Sequence, residues 1–270
     1  VVKLYAIWKK DATATFYYYD GSAQASATDD CTMYNSATTC TVAVPSTVSG
    51  SSGPSSTTYK GVSASTGSTT TTTNFAISAD TKYYAAYTKS VTATFYYYDD
   101  ANSKIATATN SNTRTATTNG TTYSTSNPNI TIPSAVSGSK GQYGNSYIGV
   151  ATAVKSMTSA TPTTANTTYY AFYRTNVTIY RPTSATAASS VTTYRNSFFT
   201  STTAFSTVLA TTNTGTSAMT SVSGIYGTLK GFASAVNSTT VAYSSIEALQ
   251  KSSATTVYAI TTNSENATIY

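Results

Sequence analysis

The run VTATFYYY (residues 91–98) alternates with the period of a half-buried strand. Val91, Ala93, Phe95 and Tyr97 fall on one core-like face, and Thr92, Thr94, Tyr96 and Tyr98 on the other. The seven residues before Lys89, KYYAAYT, alternate as well, with Tyr83, Ala85 and Tyr87 set against Tyr84 and Ala86. The phrase therefore reads as two strands, a closing one and an opening one, followed by a turn at Asp99–Asp100. The same pair of strands is written elsewhere: KLYAIWKKDATATFYYYDG from Lys3, TYYAFYRTNVTIYRP from Thr168, and TVYAITTNSENATIY at the C-terminal end.

Anchored on Ala6, Ala85, Ala171 and Ala259, the copies lie 79, 86 and 88 residues apart. A third element travels with them. VPSTVSG (44–50) matches IPSAVSG (132–138), with MTSVSG (219–224) a weaker copy. Each is followed by a glycine between apolar neighbours, in YKGV (59–62), YIGV (147–150) and LKGF (229–232). A fixed order at a fixed period predicts a mainly β chain of three tandem small modules. Their bounds are 11–89, 90–175 and 176–262. Residues 1–10 are then an orphan closing strand, and 263–270 an orphan opening strand. Between the opening strand and the PS-VSG element the chain is polar and reads as hairpin plus loop, as does STGSTTTTTN (65–74). One helix is predicted, SSIEALQKSS from Ser244, where Ser244 and Glu247 have capping-box spacing.

Composition supports the β reading. Ser and Thr fill roughly 100 positions and charged residues only 9%, against a typical ~25%. Thr, Tyr, Val and Phe fit a pleated surface. The net charge of +6 comes from scattered Lys and Arg with no basic block, which argues against nucleic acid as a partner. A polyanionic cell wall or an acidic glycan would feel that field. Cys31 and Cys40 read as a local disulfide closing a short loop. No apolar run reaches the ~20 residues that span a bilayer. The opening residues do not follow the order of a secretory signal, so the expectation is a soluble mature chain or a fragment of one.

Chemistry is sparse. Without histidine, the commonest general base and metal ligand is missing, and Ser–His or Cys–His nucleophiles are excluded. No phosphate-binding glycine loop is written. Asp29/Asp30 and Asp99/Asp100 are adjacent pairs that read as turn and surface acids; calcium at the Asp99–Asn102 turn lacks enough oxygen ligands. A Lys–Asn isopeptide has its ingredients but no spacing that selects them. The expectation is no enzyme, no cofactor and no metal. The 24 tyrosines read as core and interface residues rather than as a sugar platform. Glycosylation sequons stand at Asn119, Asn129, Asn166, Asn176, Asn237 and Asn266.

LYAIW (Leu4–Trp8), the prolines Pro45 and Pro133 and the glycines Gly61, Gly149 and Gly231 resemble the internalin-type B repeat, or Listeria–Bacteroides repeat. Thr220 stands where the third proline is due, and Val62, Val150 and Phe232 replace the tryptophan that usually follows the glycine. The resemblance covers nearly the whole chain. It implies small β-grasp-like modules on secreted or surface-anchored bacterial proteins, used as spacers or adhesive stalks, and so an extracellular or cell-surface location.

Two orphan strands have unpaired edges, and unpaired edges recruit partners. The closing strand Leu4, Tyr5, Ala6, Ile7, Trp8 and the opening strand with Ala267, Ile269 and Tyr270 are thus expected to pair between copies, head to tail, into a homopolymer. The competing expectations are a stalk fragment of a larger surface protein, completed by neighbouring modules, and a glycan-binding adhesin.

Overall fold

The computed structural model describes residues 2–163 and 167–263 and is mainly β, with 50% strand and 7% helix in mixed sheets. By its contacts the chain falls into two units. One holds the described residues up to Val91 together with Ser111–Asn129. The other holds Thr92–Asn110 with the described residues from Ile130 onward.

In the first unit β1 (Lys9–Tyr19) and β2 (Gln24–Tyr34) form an antiparallel hairpin in which Phe16 faces Ala27. The Asp20 carboxylate makes the turn by accepting the Ser22 and Ala23 N–H groups, while Gly21 takes φ +104°. Ala12, Ala14 and Phe16 point into the core as the alternation requires. Next come β3 (Cys40–Thr41), a helical turn α1 (Ser46–Ser49), β4 (Ser52–Gly53), β5 (Thr57–Ser63) and β6 (Ala76–Ile77).

The expected pair of strands at 82–98 is one continuous strand, β7 (Thr81–Asp99). No glycine or proline interrupts the run from Thr81 to Tyr98, so no strong breaker ends the extended backbone. Its first half lies parallel to β1, with Phe16 opposite Tyr83, and antiparallel to β5. Along β7 the buried residues include Tyr98 rather than the expected Tyr97. The chain continues as β8 (Lys104–Thr118) and β9 (Tyr123–Ser126), whose hairpin belongs to the first unit from Ser111 on.

The second unit repeats much of this. α2 (Ser134–Ser137), β10 (Lys140–Gly141) and β11 (Asn145–Ala151) lead to β12 (Thr168–Pro182), which lies parallel to β7 with Tyr169 opposite Phe95. Beyond it follow β13 (Ala188–Phe199), β14 (Phe205–Ala210), β15 (Thr228–Ala233), α3 (Ile246–Gln250) and β16 (Thr256–Thr262). β16 lies parallel to β12, with Ile179 opposite Val257. A bulge at each KGV-type element shifts register between Tyr59 and Gly61, Tyr147 and Gly149, and Leu229 and Gly231. Gly61 (φ +147°) and Gly231 (φ +148°) adopt a backbone there that a side chain would resist.

Three local expectations are corrected. The PS-VSG element is a helical turn in its first two copies, with Val48 and Val136 buried, whereas residues 219–224 form no helix. The cap of α3 is Ser245, whose Oγ accepts from the Ala248 N–H, and Glu247 instead pairs with Lys251. Residues 2–8 form no strand, because no neighbouring strand pairs with them.

Candidate assembly surfaces

The two closing segments inside the chain show what such a sequence does when it is covered. In the first unit Tyr83, Ala85 and Tyr87 are buried. Ser51 Oγ donates to the Val48 carbonyl at 2.6 Å, so its proton is spent. The Tyr87 hydroxyl, 2.7 Å away, therefore donates to Ser51 Oγ and accepts the Tyr19 N–H at 2.9 Å. Gly53 backs onto the ring, where any side chain would collide.

In the second unit Tyr169, Ala171 and Tyr173 are buried, and the same chain of bonds recurs. Ser139 Oγ donates to the Val136 carbonyl at 2.6 Å, Tyr173 meets Ser139 Oγ at 2.8 Å, and the Tyr98 N–H donates to Tyr173 at 2.9 Å. Gly141 takes the place of Gly53. Burial of the phenol pushes the Tyr173 pKa up to about 12, against smaller opposing effects of the Ser139 and Tyr98 bonds; burial likewise raises Tyr87.

The N-terminal copy aligns without a gap on residues 82–98: Leu4, Tyr5, Ala6, Ile7 and Trp8 match Tyr83, Tyr84, Ala85, Ala86 and Tyr87. Here none of the described residues covers it. Leu4 is 91% and Trp8 75% exposed, where Tyr83 and Tyr87 are 4% and 0% exposed. Among the described residues its backbone is tied down at its end alone, where the Asn35 N–H donates to the Trp8 carbonyl at 2.8 Å and the Trp8 N–H donates to Asn35 Oδ1 at 3.3 Å. The segment thus presents a row of apolar side chains next to exposed Tyr34. Its expected counterparts Ala267, Ile269 and Tyr270 lie outside the described residues.

Other predicted positions fall as follows. Cys31 and Cys40 are joined in a disulfide with their Cα atoms 5.8 Å apart. Asn119, Asn129, Asn176 and Asn237 are exposed, and Asn166 and Asn266 lie outside the described residues. Asp99 accepts from the Asn102 N–H and side-chain amide in a turn, and these bonds hold its pKa below the usual carboxylate value. Among the described residues no three acids, cysteines or histidines cluster to hold a metal. No helix there is long and apolar enough to cross a membrane.

Sequence reasoning missed Ser51, Ser139, Gly53 and Gly141, although VSGSSG (48–53) and VSGSKG (136–141) repeat them in register. It also missed Arg195. This fully buried side chain donates to the Ala254 carbonyl at 2.6 Å and the Leu249 carbonyl at 3.3 Å, supporting the chain after α3. Burial pulls its pKa down to about 10.

No family model, curated protein or solved structure matches the chain.

Proposed function

We propose that this chain is a non-enzymatic extracellular structural protein, a subunit of a bacterial surface filament that assembles head to tail by strand pairing. On this reading it consists of three β-grasp-like modules, in each of which the first and last strands run parallel. The observation that carries the reading is the bare closing segment. Leu4, Ala6 and Trp8 are exposed at positions whose internal counterparts, Tyr83/Tyr169, Ala85/Ala171 and Tyr87/Tyr173, are buried. Burying such a segment is worth roughly 25 cal/mol per Å² of apolar surface, and its unpaired backbone gains partners besides.

The internal pairs fix the register of the proposed contact. Phe16 stands opposite Tyr83, Phe95 opposite Tyr169 and Ile179 opposite Val257. The same rule sets Ile269 of one copy opposite Leu4 of the next, and Tyr270 opposite Tyr5. A heterologous contact of this kind does not close on itself and grows a fibre.

The test is electron microscopy and sedimentation of purified protein over a range of concentrations. Wild type forms linear polymers, while the double variant Leu4→Asp/Trp8→Ser stays monomeric. Wild-type protein that remains monodisperse at every concentration refutes the reading. Polymerisation seen only when a separate module with the same repeats is supplied points instead to a stalk whose modules share one polypeptide.

A further inference from the structure

Each bulged strand in the chain is followed by the same loop. Residues 151–160, ATAVKSMTSA, align with 233–242, ASAVNSTTVA, and more loosely with 63–72. At the matching position Gly67, Lys155 and Asn237 all take a left-handed backbone, with φ +68°, +55° and +58°. The loops then rejoin their strands identically, through Thr72 N–H to Val62 O, Ala160 N–H to Val150 O and Ala242 N–H to Phe232 O, each at 2.8 Å.

In two of the three loops the left-handed residue is a docking point for a returning strand. The Gly67 N–H donates to the Thr118 carbonyl at the end of β8, at 2.6 Å. The Lys155 N–H donates to the Phe199 carbonyl at the end of β13, at 2.7 Å. In the second case the incoming strand also brings a ring. Phe199 covers the stacked pair Tyr96 and Tyr170, 6.2 Å and 5.8 Å from their centres.

The third loop has the same parts without the strand. The Asn237 N–H has no acceptor among the described residues. Tyr180 and Tyr258 stack at 5.1 Å and 14° as Tyr96 and Tyr170 do, yet no ring of the described residues covers them and Tyr180 is 43% exposed. Val236 is 63% exposed, where its counterpart Val154 is half-buried. Together with Ile260 and Pro182 these residues line an open groove of about 310 Å³.

The strand that fills this groove can be identified from what else is bare. Exposed large apolar side chains gather mainly in two places: Val2, Leu4, Tyr5, Ile7 and Trp8 with Tyr34, and the groove with Tyr180, Val236 and neighbouring Val241. We infer that the groove beside Asn237 is the receiving surface for a second copy of this chain. The N-terminal edge of that copy's β1–β2 hairpin lies across Tyr180 and Tyr258, and a carbonyl of that hairpin accepts the Asn237 N–H. The inference rests on head-to-tail assembly and adds to it the second half of the contact.

Two measurements test it on unglycosylated full-length protein, because Asn237 is itself a sequon. Hydrogen exchange of the segment 233–242 is followed by mass spectrometry in dilute and in concentrated solution. Its exchange slows at least about tenfold on assembly, while the loops around Gly67 and Lys155 are protected at both concentrations. In parallel, Val236→Glu weakens self-association at least about tenfold. Because Val236 is exposed, this variant folds as wild type, which its thermal unfolding verifies. Unchanged exchange at 233–242, or wild-type association of Val236→Glu, overturns the inference. If Leu4→Asp/Trp8→Ser still abolishes assembly in that case, strand pairing stands and only its receiving surface is wrong. A wild type that never associates removes both.

Discussion

The Tyr173 hydroxyl donates to Ser139 Oγ and accepts the backbone N–H of Tyr98, tying the end of the closing segment to the end of the opening strand across 75 residues of sequence. Tyr87 makes the same tie to Tyr19. Tyr173→Phe keeps the ring but leaves the buried Tyr98 N–H without an acceptor. It should destabilise the second unit by about 1–3 kcal/mol, read from urea unfolding. Ser139→Ala should cost about 1 kcal/mol, since the phenol keeps its N–H donor.

The same phenols set the alkaline limit. In the unfolded chain Tyr173 titrates near 10.0, and in the fold its pKa is about 12, so folding favours the neutral form. Its contribution is complete below pH 10 and is lost as pH rises from 10 towards 12. Tyr87 and Tyr123, both raised by burial, act in the same direction. Unfolding free energy measured from neutral pH to pH 12 should fall steeply above 10, and less steeply in Tyr173→Phe than in wild type.

Gly141 is fixed by a ring rather than by its backbone. A Cβ there would stand 2.8 Å from Tyr173 Cγ, and the tyrosine cannot retreat because its hydroxyl is held at the far end. Gly141→Ala should therefore cost about 1–3 kcal/mol by overpacking, visible as a lower melting temperature.

The Cys31–Cys40 disulfide closes a loop of nine residues' separation next to the short β3–β6 pair. Its removal in Cys31→Ser/Cys40→Ser should lower stability by about 2–3 kcal/mol, and a reducing agent should have the same effect on wild type.

Trp8 is the chain's single tryptophan and is 75% exposed. Its fluorescence should be water-like and readily quenched by iodide in dilute solution. It should shift to the blue and resist quenching as polymer forms. Emission that does not change on polymerisation would mean that Trp8 is not in the contact.

The β character, the strand phrases and the disulfide partners were legible because they depend on local signals: alternation, branched and aromatic residues, and the spacing of two cysteines. Fusion of closing and opening strands into β7 was missed because a change of packing partners midway along a strand leaves no mark on a run without glycine or proline. The PS-VSG turn was not anticipated as helix because four residues are too few for helical periodicity, and its one buried residue, Val48, is held by tertiary contacts. For the candidate surfaces, the sequence pointed to Leu4–Trp8, since the phrase is legible there by comparison with its other copies. The groove at Tyr180 and Tyr258 was hidden, because a vacant site is recognised only beside a filled one, and the filling residue, Phe199, lies outside every repeated phrase.

Parallel pairing of β1 with β7, and of β7 with β12, has a mechanical side. When force runs along such a parallel pair in opposite directions, the two strands slide along one another, and their hydrogen bonds are strained all at once instead of opening one after another like a zip. β7, with 19 residues, takes part in both pairs. Pairs loaded this way would transmit tension with little give and yield abruptly when the protein is stretched one molecule at a time.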